Sequence, residues 1–167
     1  MVTIRPEQIE DAAPIRAVHC AAFPTDAEAR LVDRLRASGR TRVSLVAEVD
    51  GLVIGHVVFS PVSVVAPSGC THGLGLAPVA VLPDHQRGGV GSALIREGLA
   101  ACRRQGCAFV VVLGHPDYYP RFGFRRASDV GLGNEYGADK AFMVLELQPC
   151  SLPPEGGLVK YGPEFAE

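Results

Sequence analysis

The sequence has no apolar run approaching ~20 residues, the length a helix needs to cross a bilayer, so no membrane-spanning helix is expected. It has no C-x-x-C pair and no Cys/His pair at metal-ligand spacing. Its cysteines, Cys20, Cys70, Cys102, Cys107 and Cys150, are odd in number and irregularly placed. They read as reduced, mostly buried thiols of a cytoplasmic protein, with neither a disulfide framework nor a metal centre. A basic excess is missing as well. The net charge of −2 provides no bulk field to hold nucleic acid or an anionic membrane surface. The opening residues, Met1-Val2-Thr3-Ile4-Arg5-Pro6, lack the apolar core of a signal peptide. Internal repeats and low-complexity tracts are absent too.

What is present is an ordinary globular composition, 47% hydrophobic and 20% charged, over 167 residues. That length predicts one domain with enough core to need no staple. A short strand is expected at Val2–Arg5, then a helix over Glu10–Phe23 with Ile15, Val18 and Ala22 on its apolar stripe. Pro24 ends that helix, and Thr25-Asp26-Ala27-Glu28 reads as a capping box opening a second helix that carries Leu31, Val32 and Leu35 inward. Strands at Val43–Val49 and Leu52–Val65 flank Asp50-Gly51, a strong hairpin signal. A turn at Ala66–Gly69 precedes a strand at Leu74–Val81. A helix over Val90–Gln105 follows, with Arg96, Glu97, Arg103 and Arg104 on its solvated face. Phe109–Leu113 is an apolar run of the kind buried on both faces of a sheet. A turn or short helix near Asp117–Arg121 and a strand at Phe142–Leu147 come next. Residues 149–157 are rich in Pro and Gly and read as a linker to a tail, in which 158–161 alternates enough to add an edge strand. The expected organisation is therefore a domain over 1–148 and a tail over 149–167, with a mixed α/β, largely antiparallel architecture.

The chemistry concentrates where the strand at Leu74–Val81 turns into the next helix. Gln86-Arg87-Gly88-Gly89-Val90-Gly91 puts three glycines at a helix N-terminus, where backbone amides converge and the helix dipole favours an anion. A P-loop is excluded because Gly91-Ser92 contains no lysine, and a Rossmann fingerprint because Leu94 stands where its third glycine belongs. The segment instead fits Gln/Arg-x-x-Gly-x-Gly/Ala. A second motif follows the buried strand: Tyr118-Tyr119-Pro120-Arg121-Phe122-Gly123-Phe124 contains Tyr-x-x-x-Gly-Phe with Tyr119 in register.

With both motifs in order on the right elements, the chain resembles the GNAT superfamily of N-acetyltransferases over about Val2 to Leu147. The resemblance implies a mixed, mostly antiparallel sheet of six or seven strands with helices on both faces. It implies two parallel strands that splay to admit acetyl-CoA, and no metal. The main chain of Val79, Ala80 and Val81 would meet the pantetheine arm, with the Val81 amide at the thioester oxygen. Amides from Arg87 through Gly88, Gly89, Val90 and Gly91 to Ser92 would surround the diphosphate, behind Gln86. Tyr119 would be the general acid and would touch the cofactor; Tyr118 is its competitor.

The reaction implied is direct attack of a neutral primary amine, from a small molecule or a protein, in a ternary complex. Because such amines are largely protonated near neutrality, a base is needed. Some family members carry a carboxylate six residues before the position of Val81, where this chain has Gly75. Glu48, at a strand end, and His72, near the start of the oxyanion strand, are the remaining candidates. His19 and His56 read as packed or surface histidines, Glu28 as a cap, His115 as a turn residue, and Phe122 and Phe124 as core under the cofactor. Cys102 and Cys107 fall away from the expected cleft, which disfavours an acyl-cysteine route. A non-catalytic acyl-CoA sensor on the same fold is the alternative function. The expected protein is cytoplasmic, a monomer or homodimer, with an amine-bearing partner and neither nucleic acid nor membrane.

Overall fold

A computed structural model describes residues 1–166. Nine strands are assigned among them: β1 (Thr3–Pro6), β2 (Val43–Val49), β3 (Leu52–Ala66), β4 (Gly69–Val81), β5 (Phe109–Leu113), β6 (Arg125–Arg126), β7 (Leu132–Asn134), β8 (Phe142–Glu146) and β9 (Gly157–Tyr161). The helices are α1 (Ala12–Ala22), α2 (Ala27–Ala37) and α3 (Val90–Arg104), with short 3-10 turns between elements. The contacts group into two compact units, Met1–Ser60 with Ala77–Cys102, and Pro61–Leu76 with the residues from Arg103 on. Length alone predicts one domain; β3 and β4 each contribute residues to both units.

In the first unit β1, β2 and β3 pair antiparallel, Ile4 opposite Ala47 and Val46 opposite His56. The β2–β3 hairpin turns on Asp50 and Gly51, both at positive φ (49° and 78°), as the Asp-Gly signal predicts. Neighbouring β3 residues point to opposite faces, and this distributes the helices. A Cβ on Gly55 would meet Leu94 at 3.0 Å and Val90 at 3.3 Å, both from α3. His56, one residue on, instead reaches His19 of α1. Thus α1 and α3 cover opposite faces of β3, the two-faced arrangement that the resemblance implies. The fully buried core includes Ile15, Leu35, Ile54, Phe59, Leu94 and Ile95.

In the second unit β4 and β5 run parallel, Leu74 opposite Val110 and Leu76 opposite Val112. Two consecutive parallel strands need a crossover, and the chain supplies α3 between them. Pro78, just beyond that ladder, has no N–H to donate to a strand partner. β8 lies antiparallel to β5, β6 to β8, and β9 to the far half of β3, with Val64 opposite Val159. β7 runs parallel to β9. Val62, Val64, Phe109, Val111, Phe142 and Val159 share one buried cluster.

Several expectations shift at the level of single residues. The capping box does not form. α2 starts at Ala27 with Asp26 as its N-cap, and Thr25 Oγ1 accepts the Ala27 amide, at 3.3 Å. Asp26 uses its carboxylate on Arg30 at 3.2 Å instead. On α1 the third buried position is His19 rather than Ala22, and on α2 Ala29 is buried where Leu31 is only half-buried. β4 begins at Gly69, five residues before the expected start, because the turn after β3 closes a long hairpin. The strand count exceeds six or seven through the short β6 and β7 and through β9. Among the described residues, no helix is long and apolar enough to cross a membrane.

Candidate active site

Within the first unit, β4 ends at Val81 and a 3-10 turn over Pro83–His85 leads into the glycine segment. Leu82 N–H donates to Ile54 O at 2.8 Å, which anchors the strand end to β3. Gln86 Nε2 donates to Val81 O at 2.9 Å, so its side chain staples the loop back onto the strand. It thereby engages the carbonyl of Val81; the amide is the group given the oxyanion role in the sequence reading. Gln86, Arg87, Gly88 and Gly89 are exposed and Val90 is buried as the first residue of α3.

The backbone turns twice into the left-handed region here, at Arg87 (φ 65°) and Gly89 (φ 86°). Such turns within three residues gather successive N–H groups into a concavity of the kind that holds anions. Ala93 N–H makes a helical bond to Gly89 O at 3.0 Å. The positions before it, Val90 to Ser92, are those whose amides a helix leaves to a cap or ligand. A Cβ on Gly89 would meet nothing within 4 Å, so the space over this turn is open. Cradle, dipole and open approach fit a diphosphate. On the strand itself Ala80 is buried while Val79 and Val81 are half-buried.

Within the second unit, β5 ends at Leu113 and the chain turns through Gly114 and His115 into a 3-10 turn at Tyr119–Phe122. The carbonyl of exposed His115 accepts the amides of Tyr118 at 3.0 Å and Tyr119 at 3.3 Å. Tyr119 is only 6% exposed, and its ring packs edge-on to Tyr118 and Phe124 at 5.1 and 5.7 Å. Burial, with a smaller contribution from Tyr118, pushes its phenol up to about 12. The hydroxyl therefore stays protonated through the alkaline range. Any Cβ on Gly114 would overlap the Tyr119 ring, a seat that the Tyr-x-x-x-Gly-Phe pattern does not reveal. Tyr118 is half-buried and carries Arg121 over its ring at 4.4 Å.

The base candidates differ in their engagement. Glu48 accepts from Arg5 Nη2 at 3.0 Å, in a cluster where Arg5 also grips Asp11 at 2.7 Å. His72 is exposed on β4. Gly75 has a Tyr161 carbon 3.0 Å from where its Cβ would be. His19 and His56 are both wholly buried, 2.8 Å apart, which settles the packed-or-surface alternative. Glu28 lies in the first turn of α2. Cys102 is buried and Cys107 half-buried, but Cys20, Cys70 and Cys150 are exposed, so the thiols are not mostly buried as expected. Among the described residues no group of three His, Cys, Asp or Glu side chains could hold a metal ion.

Comparison with known proteins places this geometry. The family description "Acetyltransferase (GNAT) domain" matches residues 3–127. The Escherichia coli K12 protein YhbS, described as an uncharacterized N-acetyltransferase, is 40% identical over 164 residues, 97% of each chain. A crystal structure of Escherichia coli YhbS in complex with CoA superposes with a TM-score of 0.92 at 38% identity, covering 99% of this chain and 92% of that one. A GNAT family acetyltransferase from Brucella melitensis in complex with acetyl-CoA gives 0.82 at 40% identity, over 99% and 98%. With the glycine turn at the head of α3, the parallel β4–β5 pair and the two motifs in order, this chain belongs to the GNAT acetyltransferase family.

Proposed function

We propose that this chain moves the acetyl group of acetyl-CoA to a primary amine by direct attack, both substrates being bound together. The observation that carries the reading is the open cradle at Arg87–Gly91, whose two left-handed residues and helix N-terminus suit a diphosphate. Two relatives of about 40% identity, over nearly the whole chain, were crystallised with CoA or acetyl-CoA, which supports acetyl-CoA as the co-substrate. The acetyltransferase domain is proposed to span 1–148, with 149–167 as its tail.

The residue roles follow from the chemistry. The amine nitrogen forms a bond to the thioester carbonyl carbon, and the Val81 amide donates to the oxygen on which negative charge develops. The intermediate then breaks its C–S bond, and the thiolate takes a proton from the Tyr119 hydroxyl. The amine gives up its proton to a base, directly or through water, for which Glu48 and His72 are the candidates. His72 is exposed, whereas Glu48 already accepts from the Arg5 guanidinium.

The direct test is calorimetry with CoA beside thiol release from acetyl-CoA during a screen of polyamines, amino acids, aminoglycosides and peptide N-termini. Gly89→Glu brings a side chain and a negative charge into the cradle, and should weaken CoA binding at least ~100-fold. Unchanged binding by the folded variant would remove the diphosphate assignment. CoA binding with no thiol release from any amine would leave an acyl-CoA sensor as the function.

A further inference from the structure

The glycine turn is least comfortable at the one residue of it that carries a charge. Arg87 has φ 65°, in the left-handed region that a Cβ disfavours. Gly88, beside it, could take that conformation freely, yet its φ is not positive. A glycine at position 87 would therefore ease the turn, and the long cationic side chain stands there against that preference. Backbone strain at such a place points to a side chain with a task.

Nothing in the fold uses that charge. Arg87 is exposed, and its guanidinium makes no hydrogen bond or ion pair among the described residues. Asp84, three residues back and also exposed, does not pair with it. By contrast Arg5, Arg16, Arg30 and Arg36 of the same unit are all held in ion pairs. No other lysine or arginine lies between Val81 and Ile95. An unneutralised cation thus stands at the rim of a turn whose amides already suit one anion.

CoA carries a second anionic group besides its diphosphate, the phosphomonoester on the 3′ oxygen of its ribose. The backbone amides of the turn do not account for it. About six bonds join the 3′ phosphorus to the nearer diphosphate phosphorus, the same count as from the Arg87 amide nitrogen to its guanidinium carbon. A guanidinium rooted beside the diphosphate therefore has the reach, and its planar fork matches two phosphate oxygens. We propose that Arg87 is a specificity residue for the 3′-phosphate: its main chain belongs to the diphosphate cradle, and its side chain tells CoA from 3′-dephospho-CoA. This rests on the reading that the cradle holds the diphosphate.

The test is calorimetry on the full chain with two probes, CoA and 3′-dephospho-CoA. The parent should bind CoA about 10-fold more tightly, the lower end for hydrogen bonds to a charged group, since the site is exposed. Arg87→Gly suits the left-handed position, so the variant folds, and its preference should fall to near unity. The ratio of the two affinities is the readout, because any change in the turn that affects both ligands alike cancels from it. A parent that binds the two equally, or a preference that survives Arg87→Gly, overturns the proposal. If neither probe binds the parent, the diphosphate reading fails and this proposal with it. If both bind equally and Gly89→Glu weakens both, the cradle stands and the role of Arg87 alone falls.

Discussion

His19 Nε2 lies 2.8 Å from Nδ1 of His56, and the direction of that hydrogen bond is set at a distance by Glu7. Glu7 accepts from Arg36 at 2.8 Å and from the Ser44 hydroxyl at 2.5 Å. Burial raises its pKa, but hydrogen bonds from His56, Arg36 and Ser44 outweigh that and carry it down to about 2. As an ionised acceptor it takes the Ser44 proton, so Ser44 Oγ must accept from His56 Nε2, at 2.8 Å. His56 Nδ1 is then a lone pair that receives the His19 Nε2 proton. His19 Nδ1 is left buried with no partner.

This chain makes the fold acid-sensitive. Burial, then His56 and Arg36, holds His19 down at about 3, so folding favours the neutral ring. Its contribution is complete above the ordinary histidine value of about 6.5 and is lost as pH falls from there towards 3. Glu7 adds a second loss between about 4.5 and 2. Thermal stability should therefore decline from about pH 6.5 downward. His19→Gln keeps a donor for His56 and removes one of two buried-histidine titrations; burial also holds His56 down, so the decline should still begin near pH 6.5 but be shallower than the parent's. A mutant curve parallel to the parent's throughout would show that His19 does not titrate on unfolding.

Tyr119→Phe should bind CoA normally and lose about 10- to 100-fold in turnover, while Tyr118→Phe should lose little. Since burial holds the phenol near 12, no alkaline fall in turnover below about pH 11 should trace to Tyr119. Turnover by Tyr119→Phe equal to the parent's across that range would place the acid elsewhere.

Gly114→Ala tests the seat rather than the hydroxyl. The new methyl overlaps the Tyr119 ring, which must shift or tilt, so overpacking should cost about 1–3 kcal/mol in chemical denaturation. Turnover should fall as in Tyr119→Phe with CoA affinity kept. A fully active and fully stable Gly114→Ala variant would mean the ring moves freely.

The tail strand makes a prediction of its own. Val159 is fully buried, opposite Val64. Amide exchange at the β3-paired positions of residues 158–161 should approach that of the β5 strand. Deleting 157–167 should destabilise the protein by several kcal/mol, since it uncovers Val62 and Val64 and removes Val159. Exchange as fast as in an unstructured peptide would dissociate β9 from the sheet.

Both motifs were legible because each is local. The glycines and the helix they open lie within a few residues, and Tyr119 shares one turn with Gly123. The β2–β3 hairpin was readable for the same reason, through Asp50-Gly51. What escaped depends on partners far along the chain. His56 has no sequence neighbour that explains it; its meaning comes from His19 and Glu7. Gly75 reads as a vacancy in sequence, and only the fold brings Tyr161 over it. The capping box failed because Asp26, one residue later than Thr25, took the N-cap and an ion pair with Arg30.

The pairing of β9 with residues 62–65 also bears on how the protein is made. About 100 residues separate the two partners, and a ribosome adds roughly 5–20 residues per second. For about 5–20 seconds of synthesis the Val62-Ser63-Val64-Val65 edge exists without the strand that will cover it. An apolar, β-branched edge of this kind is a template for intermolecular pairing. The nascent chain is thus exposed to aggregation until β9 emerges, and slowed translation between residues 66 and 157 should lower soluble yield while leaving the activity per folded molecule unchanged.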